Sequence, residues 1–173
     1  MGGVTFSGGE CLLQVDFVTD VMKKAKAEGL HTAVDTCGYV PWENIEKTLA
    51  FCDLYLYDIK CIDPKTHKEY TGVDNSLIIQ NIKRLSDAKK DIWVRVPVIP
   101  GFNNTEDEMN KISDLVLTLP SVKQVTLMPY HSLGSDKYKT LGLEYTYDTS
   151  LEIKDSELEK FKKIFISKNI KLN

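Results

Sequence analysis

One pattern recurs along the whole chain: a short apolar run, a polar turn, then a stretch with apolar residues at helical spacing. Val4-Thr5-Phe6, Thr32-Ala33-Val34, Leu54-Tyr55-Leu56-Tyr57, Ile92–Ile99 and Val122–Met128 read as strands. They are short, rich in β-branched and aromatic residues, and closed by turn formers such as Ser7-Gly8-Gly9 and Pro100-Gly101. Between them, Phe17, Val18, Val21, Met22 and Ala25 recur as one helix face that stops at Gly29. Pro41 opens a short helix with Ile45 and Leu49, and a longer helix is predicted from Ser76 to Ala88. Thr105-x-x-Glu108 and Ser156-x-x-Glu159 are capping boxes at the heads of two more helices. Met109, Ile112, Leu115, Val116 and Leu119 follow the first; Leu158, Phe161, Ile164 and Phe165 line the second. Strands alternating with helices predict βαβ units on a parallel sheet, hence an α/β fold, and five units suffice only for an open or partial barrel.

Length and composition suit one domain over residues 1–173: the chain is 42% hydrophobic and 27% charged. A net charge of −3 argues against a broad basic surface and so against nucleic acid as a partner. Apolar runs are too short to cross a membrane, and the first residues do not pattern as a signal peptide, so a cytoplasmic location is expected. Cys11, Cys37, Cys52 and Cys61 include no CxxC pair, so four reduced thiols are expected rather than a disulfide or a metal cluster. The polar segment from Ser132 to Lys154 reads as a solvated loop.

In a parallel α/β sheet, chemistry gathers where the strands end. Ser7-Gly8-Gly9-Glu10, Asp35-Thr36, Asp58-Ile59-Lys60 and Pro129-Tyr130-His131 each follow a predicted strand. Arg95 shares one side of its strand with Trp93 and Pro97. Each has an ordinary explanation alone: Ser7 and Asp35 as helix caps, Asp58 with Lys60 as an ion pair, His131 as a surface histidine. Arg95 is the hardest to set aside, because a guanidinium in a Val-rich strand requires carboxylates or an anionic ligand beside it. Gly8-Gly9 exposes backbone to a ligand, yet neither GxxxxGK[ST] nor GxGxxG is present, and Glu10 disfavours phosphate. The set suits a ligand with both an amine and a carboxylate, an amino acid or a derivative of one.

Gly2-Gly3-Val4-Thr5-Phe6-Ser7-Gly8-Gly9-Glu10 resembles a segment of the glycyl radical enzyme activating enzymes of the radical S-adenosylmethionine (SAM) superfamily, the pyruvate formate-lyase activating enzyme type. Asp35-Thr36-Cys37-Gly38, Asp58-Ile59-Lys60, Trp93-Val94-Arg95 through Pro100-Gly101, and Met128-Pro129-Tyr130-His131 fit the same family in the same order. The resemblance implies the partial (β/α) barrel of radical SAM proteins. It also implies an oxidoreductase that cleaves SAM reductively at a [4Fe–4S] cluster and generates a glycyl radical on a partner enzyme. It places Ser7, Gly8, Gly9 and Glu10 at the methionyl amine, and Asp35, Thr36, Asp58 and Lys60 along the methionyl and ribose region. Arg95 and Lys60 would face the reaction centre and His131 the nucleoside end. Asp35 and Asp58 would ligate a monovalent cation. The implied partners are a pyruvate formate-lyase-like glycyl radical enzyme and an electron donor such as flavodoxin or ferredoxin.

The family holds its cluster with a CxxxCxxC segment upstream of the Ser7-Gly8-Gly9-Glu10 equivalent, and this sequence does not contain one. Cys11 stands where the family usually has proline. These departures lead to the expectation of an N-terminally truncated barrel lacking its first βα unit, inactive by itself. An improvised cluster on Cys11, Cys37 and Cys61 is one alternative. A non-catalytic remnant that binds SAM or a partner is another, and a Schiff-base lyase using Lys60 is a third.

Overall fold

A computed structural model describes residues 2–130, 140, 142 and 151–173. In chain order it has β1 (Gly3–Phe6), α1 (Val15–Ala27), β2 (His31–Thr36), α2 (Trp42–Thr48), β3 (Leu54–Asp58) and α3 (Pro64–Thr71). There follow α4 (Ser76–Asp87), β4 (Asp91–Val98), α5 (Glu106–Leu117), β5 (Val122–Pro129) and α6 (Asp155–Ser167). The five strands are all parallel and lie in the order β1-β2-β3-β4-β5. Right-handed crossovers between consecutive neighbours put every helix on one face of such a sheet, which is the wall of a barrel rather than a doubly wound sheet.

Burial along β4 shows the two faces. Ile92, Val94, Val96 and Val98 are fully buried beneath the helices, whereas Trp93, Arg95 and Pro97 point to the other, concave side and Trp93 remains 36% exposed. Tyr55 and Tyr57 of β3 and Val125 of β5 join the buried layer. Against it lie Val18 and Met22 of α1, Ile82 and Leu85 of α4, Met109 and Ile112 of α5, and Phe161 and Phe165 of α6. This is one core between sheet and helices, leaving the concave face for polar groups.

All five predicted strands and the helices around them are present, with local corrections. Phe17 is 68% exposed; the buried stripe of α1 keeps Val18, Met22 and Ala25 of the predicted face and has Val15 in place of Phe17. The Thr105 hydroxyl does cap Glu108 N, at 3.1 Å, but Glu108 does not reach back to complete a box. Its buried carboxylate instead accepts a hydrogen bond from Ile62 N across the barrel end. Ser156 is not a cap: α6 starts at Asp155 after Lys154, and Glu159 pairs with Lys162. Helix α3 was not predicted, because His67 is its only buried residue and no apolar period marks it. Its signals are local ones: Asp63 accepts from Thr66 N, Pro64 opens the helix, and Gly72 closes it at φ 84°. A further strand stub at the C-terminus was also unread. Val125 N donates to Lys171 O at 2.8 Å and Asn173 N donates to Val125 O at 3.0 Å, extending the sheet beyond β5.

Candidate ligand site at the ends of the strands

Strand register brings the predicted residues together. Asp58 and Arg95 are partners at the last rung of the β3–β4 ladder, and Asp35 lies on β2 opposite Leu56 of β3. The guanidinium fills the space between the two carboxylates. Its Nε donates to Asp58 Oδ1 at 2.9 Å and its Nη2 lies 2.8 Å from the same oxygen. Nη1 donates to Asp35 Oδ2 at 3.1 Å and Nη2 to Asp35 Oδ1. Ser7 Oγ adds a bond to Asp35 Oδ2 at 3.0 Å, and Lys60 Nζ stands 3.9 Å from Asp58 Oδ2. Burial pulls against the guanidinium charge, yet Asp58 and Asp35 together outweigh it and its pKa is raised. Burial dominates at Asp58, whose pKa is raised although Arg95 and Lys60 work to lower it. Arg95 thus places a positive charge between Asp35 and Asp58, the two carboxylates expected to ligate a monovalent cation.

The glycine turn departs from the prediction in one respect. Gly8, at φ +130°, and Gly9 both have open space where a Cβ would stand, so their backbone is free to meet a ligand. Glu10, however, is turned inward. Its Oε1 accepts from Leu12 N at 3.2 Å, while Oε2 accepts from Thr36 Oγ1 at 2.9 Å, Cys37 N at 3.1 Å and Cys37 Sγ at 3.3 Å. Thr36 is buried, and its hydroxyl also accepts from Gly38 N at 2.9 Å. Glu10 and Thr36 thus tie the end of β1 to the end of β2. A groove of about 410 Å³ runs between Gly8, Gly9, Glu10 and Cys11 of this turn and Leu13 and Phe17 of the following segment. Asp35, Asp58 and Arg95 lie outside its walls. His131 lies outside the described residues, as does most of the polar segment that follows it.

All four cysteines are free thiols. Cys11 Sγ donates to Phe6 O and Asp35 O at 3.6 and 3.7 Å, and Cys61 Sγ donates to Asp63 O at 3.6 Å. Burial, reinforced by Glu10 and Asp35, pushes the Cys11 thiol up to about 11. Burial and Glu108 push Cys61 to about 12, burial holds Cys52 at about 11, and burial raises Cys37. Among the described residues no three metal-binding side chains converge. A pKa near 11 leaves roughly one thiol in a thousand ionised at about pH 8, and the thiolate is the reactive form. Labelling with a chromogenic disulfide at that pH is therefore expected to be about a hundredfold slower at Cys11, Cys52 and Cys61 than in the urea-unfolded chain. Fast stoichiometric release from any of the three would contradict this placement.

Comparison with known proteins bears on the family and the fold. The description "Radical SAM superfamily" matches residues 1–115. The trans-4-hydroxy-L-proline dehydratase activating enzyme of Clostridioides difficile is 39% identical over 171 residues, covering 97% of this chain and 56% of that protein. The pyruvate formate-lyase-activating enzyme of Streptococcus mutans is 39% identical over 150 residues, covering 83% of this chain and 57% of that protein. The chain thus spans little more than half the length of these relatives. A crystallised domain of pyruvate-formate lyase-activating enzyme from Bacteroides vulgatus superposes with a TM-score of 0.84 at 29% identity, covering 100% of this chain and 98% of that one. The match over residues 1–115, the relatives 39% identical over most of the chain and the shared domain fold lead to one conclusion: the chain belongs to the radical SAM superfamily, and within it resembles the activating enzymes of glycyl radical enzymes.

Proposed function

We propose that this chain is the SAM-binding part of an activase that installs a glycyl radical on a partner enzyme. The observation that carries the reading is the convergence of Ser7, Asp35, Asp58, Lys60 and Arg95 at the strand ends, beside an open Gly8-Gly9 backbone. These residues fit SAM. Carbonyl oxygens of the glycine turn suit its ammonium, Lys60 suits its carboxylate, and Asp35 and Asp58 suit hydroxyl donors and the sulfonium charge. Arg95 faces the concave side, where the reacting part of the ligand would lie. Glu10 and Thr36 act one step back, by fixing the turn that receives the amine. His131 is assigned to the nucleoside end by resemblance alone.

Bound SAM supplies hydrogen abstraction from a backbone glycine of the partner. The protein's share is to orient the ligand, exclude water and hold opposite charges around it. The four hydrogen-bonded thiols do not fit an iron–sulfur cluster, so no reductive step is assigned to this chain's own cysteines, and the chain alone is taken to be inactive. A glycyl radical enzyme as partner, and a small electron-transfer protein as donor, follow from the same reading.

Calorimetric titration with SAM tests it, using Gly9→Val as the control. A Cβ at Gly9 meets no protein atom within 4 Å, so the variant is expected to keep its Tm while it blocks the turn. The wild-type chain is expected to bind, and Gly9→Val to bind at least about tenfold more weakly. Equal binding by both would remove the glycine turn from the site.

A further inference from the structure

We propose that the buried carboxamides of Asn81 and Asn103 are positioning residues for this site, holding the loops that carry Thr36-Cys37 and Asp58–Lys60 in ligand-ready geometry before any ligand arrives. The inference rests on the reading of the strand ends as a SAM site. Asn103 is fully buried, and its Nδ2 donates to Lys60 O at 2.6 Å and to Pro97 O at 2.7 Å. Its Oδ1 accepts from Ile99 N at 2.7 Å, so each polar atom of the side chain is engaged. Asp58 and Arg95 form the last rung of the β3–β4 ladder, and Lys60 and Pro97 each lie two positions beyond them. Asn103 therefore continues the ladder past the point where backbone pairing ends, and sets the spacing of Lys60 from Arg95.

Asn81 does the same one loop earlier. Also fully buried, it donates to Gly38 O and to Val40 O, both at 2.9 Å. Its Oδ1 is buried with no partner among the described residues. The gain from two neutral hydrogen bonds is then largely offset by one unpaired buried acceptor. What this side chain contributes is geometry more than stability.

The residue type follows from the task. Joining two carbonyl oxygens from one point requires a group with two N–H donors on a single atom, and burial forbids the charge of lysine or arginine. An aspartate would set oxygen against oxygen. In both cases the carboxamide comes from the βα unit after the loop it holds, so each unit fixes the mouth of its predecessor. Asn44 of α2 repeats the rule by donating to Leu12 O at 2.8 Å.

The test uses the purified chain with Asn103→Ala, Asn81→Ala and a core variant on α5, Ile112→Val. Each is titrated with SAM at a temperature where thermal melts show it folded. The two asparagine variants are expected to lose about tenfold or more in affinity, since small misplacement of positioned groups weakens a site out of proportion to stability. Ile112→Val should keep wild-type affinity despite its lower Tm. Unchanged affinity in the asparagine variants, or an equal loss in the core variant, would overturn the proposal. A ligand-free readout separates this from the reading beneath it: the acetylation rate of the Lys60 amine, followed by mass spectrometry. That rate should change in Asn103→Ala and stay put in Asn81→Ala and Ile112→Val. If the wild-type chain binds no SAM, the functional reading fails for this chain, and a Lys60 rate unmoved by Asn103→Ala still overturns the clamp.

Discussion

Replacing Arg95 by leucine is expected to lower stability by about 2–3 kcal/mol at neutral pH, below the roughly 3–5 kcal/mol for breaking a fully buried ion pair, because the three side chains keep some contact with water. Arg95, Asp35 and Asp58 are 22%, 23% and 19% exposed, which is enough for partial screening and too little for full hydration. The leucine stem replaces the apolar part of arginine, so the loss isolates the charge. Two carboxylates then face each other, with Ser7 on Asp35 and Lys60 beside Asp58 as their remaining side-chain partners among the described residues. Burial already raises Asp58 in the intact protein, and Arg95 is the strongest influence opposing it. Without Arg95 the two acids repel, and the folded pKa of Asp58, already raised by burial, stands further above its unfolded value. A carboxylate with a raised folded pKa favours the folded state at low pH and loses that contribution as pH rises through the folded value. The deficit of Arg95→Leu should therefore shrink as pH falls from about 7.5 to about 5, the window just above the ordinary carboxylate range. Urea unfolding at both pH values measures this. Adding Asp35→Asn to the leucine variant should restore about 1 kcal/mol at the higher pH. A deficit independent of pH, with no recovery in the double variant, would show that Arg95 acts by packing alone.

That pairing shows what a sequence can and cannot say about such a site. Arg95 in a Val-rich strand requires anionic company on physical grounds, and polar residues after every strand locate the working end of the sheet. Which carboxylates meet the guanidinium depends on register: Asp58 is its cross-strand partner, but Asp35 reaches it from a strand further away. Glu10 illustrates the harder case. A carboxylate beside two glycines has no periodicity to say which way it faces, so a ligand and the amides of Leu12 and Cys37 were equally available partners, and the amides hold it. Phe17 was assigned inward by spacing, but the stripe that begins at Val15 satisfies the core without it. The asparagine clamps were beyond reach for another reason. Asn81 acts on carbonyls 41 and 43 residues away and Asn103 joins one 43 residues away to one only six away, and backbone acceptors carry no sequence signature.

Gly38→Ala is expected to be the most damaging single methyl group that can be added to this site, at about 3–4 kcal/mol, against the 5–15 kcal/mol that holds a typical domain together. Two costs combine. Gly38 sits at φ +71°, where an L-residue pays about 1 kcal/mol. The added Cβ would also lie 1.7 Å from Tyr57 Oη and 2.2 Å from its Cζ, so the ring must move. It has nowhere to go: Tyr57 is fully buried, and its hydroxyl donates to Ile78 O at 2.8 Å. Gly72→Ala separates the two costs, because Gly72 has a similar φ of +84° but open space around its Cβ position. Thermal melts should therefore show a small loss for Gly72→Ala and a much larger one for Gly38→Ala. Combining Gly38→Ala with Tyr57→Leu should recover part of the difference by vacating the ring's far end. Equal losses at the two glycines would mean that the ring can yield. Should the steric cost hold, damage will not stop at the core. Gly38 N is bonded to Thr36 and Thr36 to Glu10, so a shift at Gly38 reaches Glu10, next to Gly9 in the chain, through two hydrogen bonds.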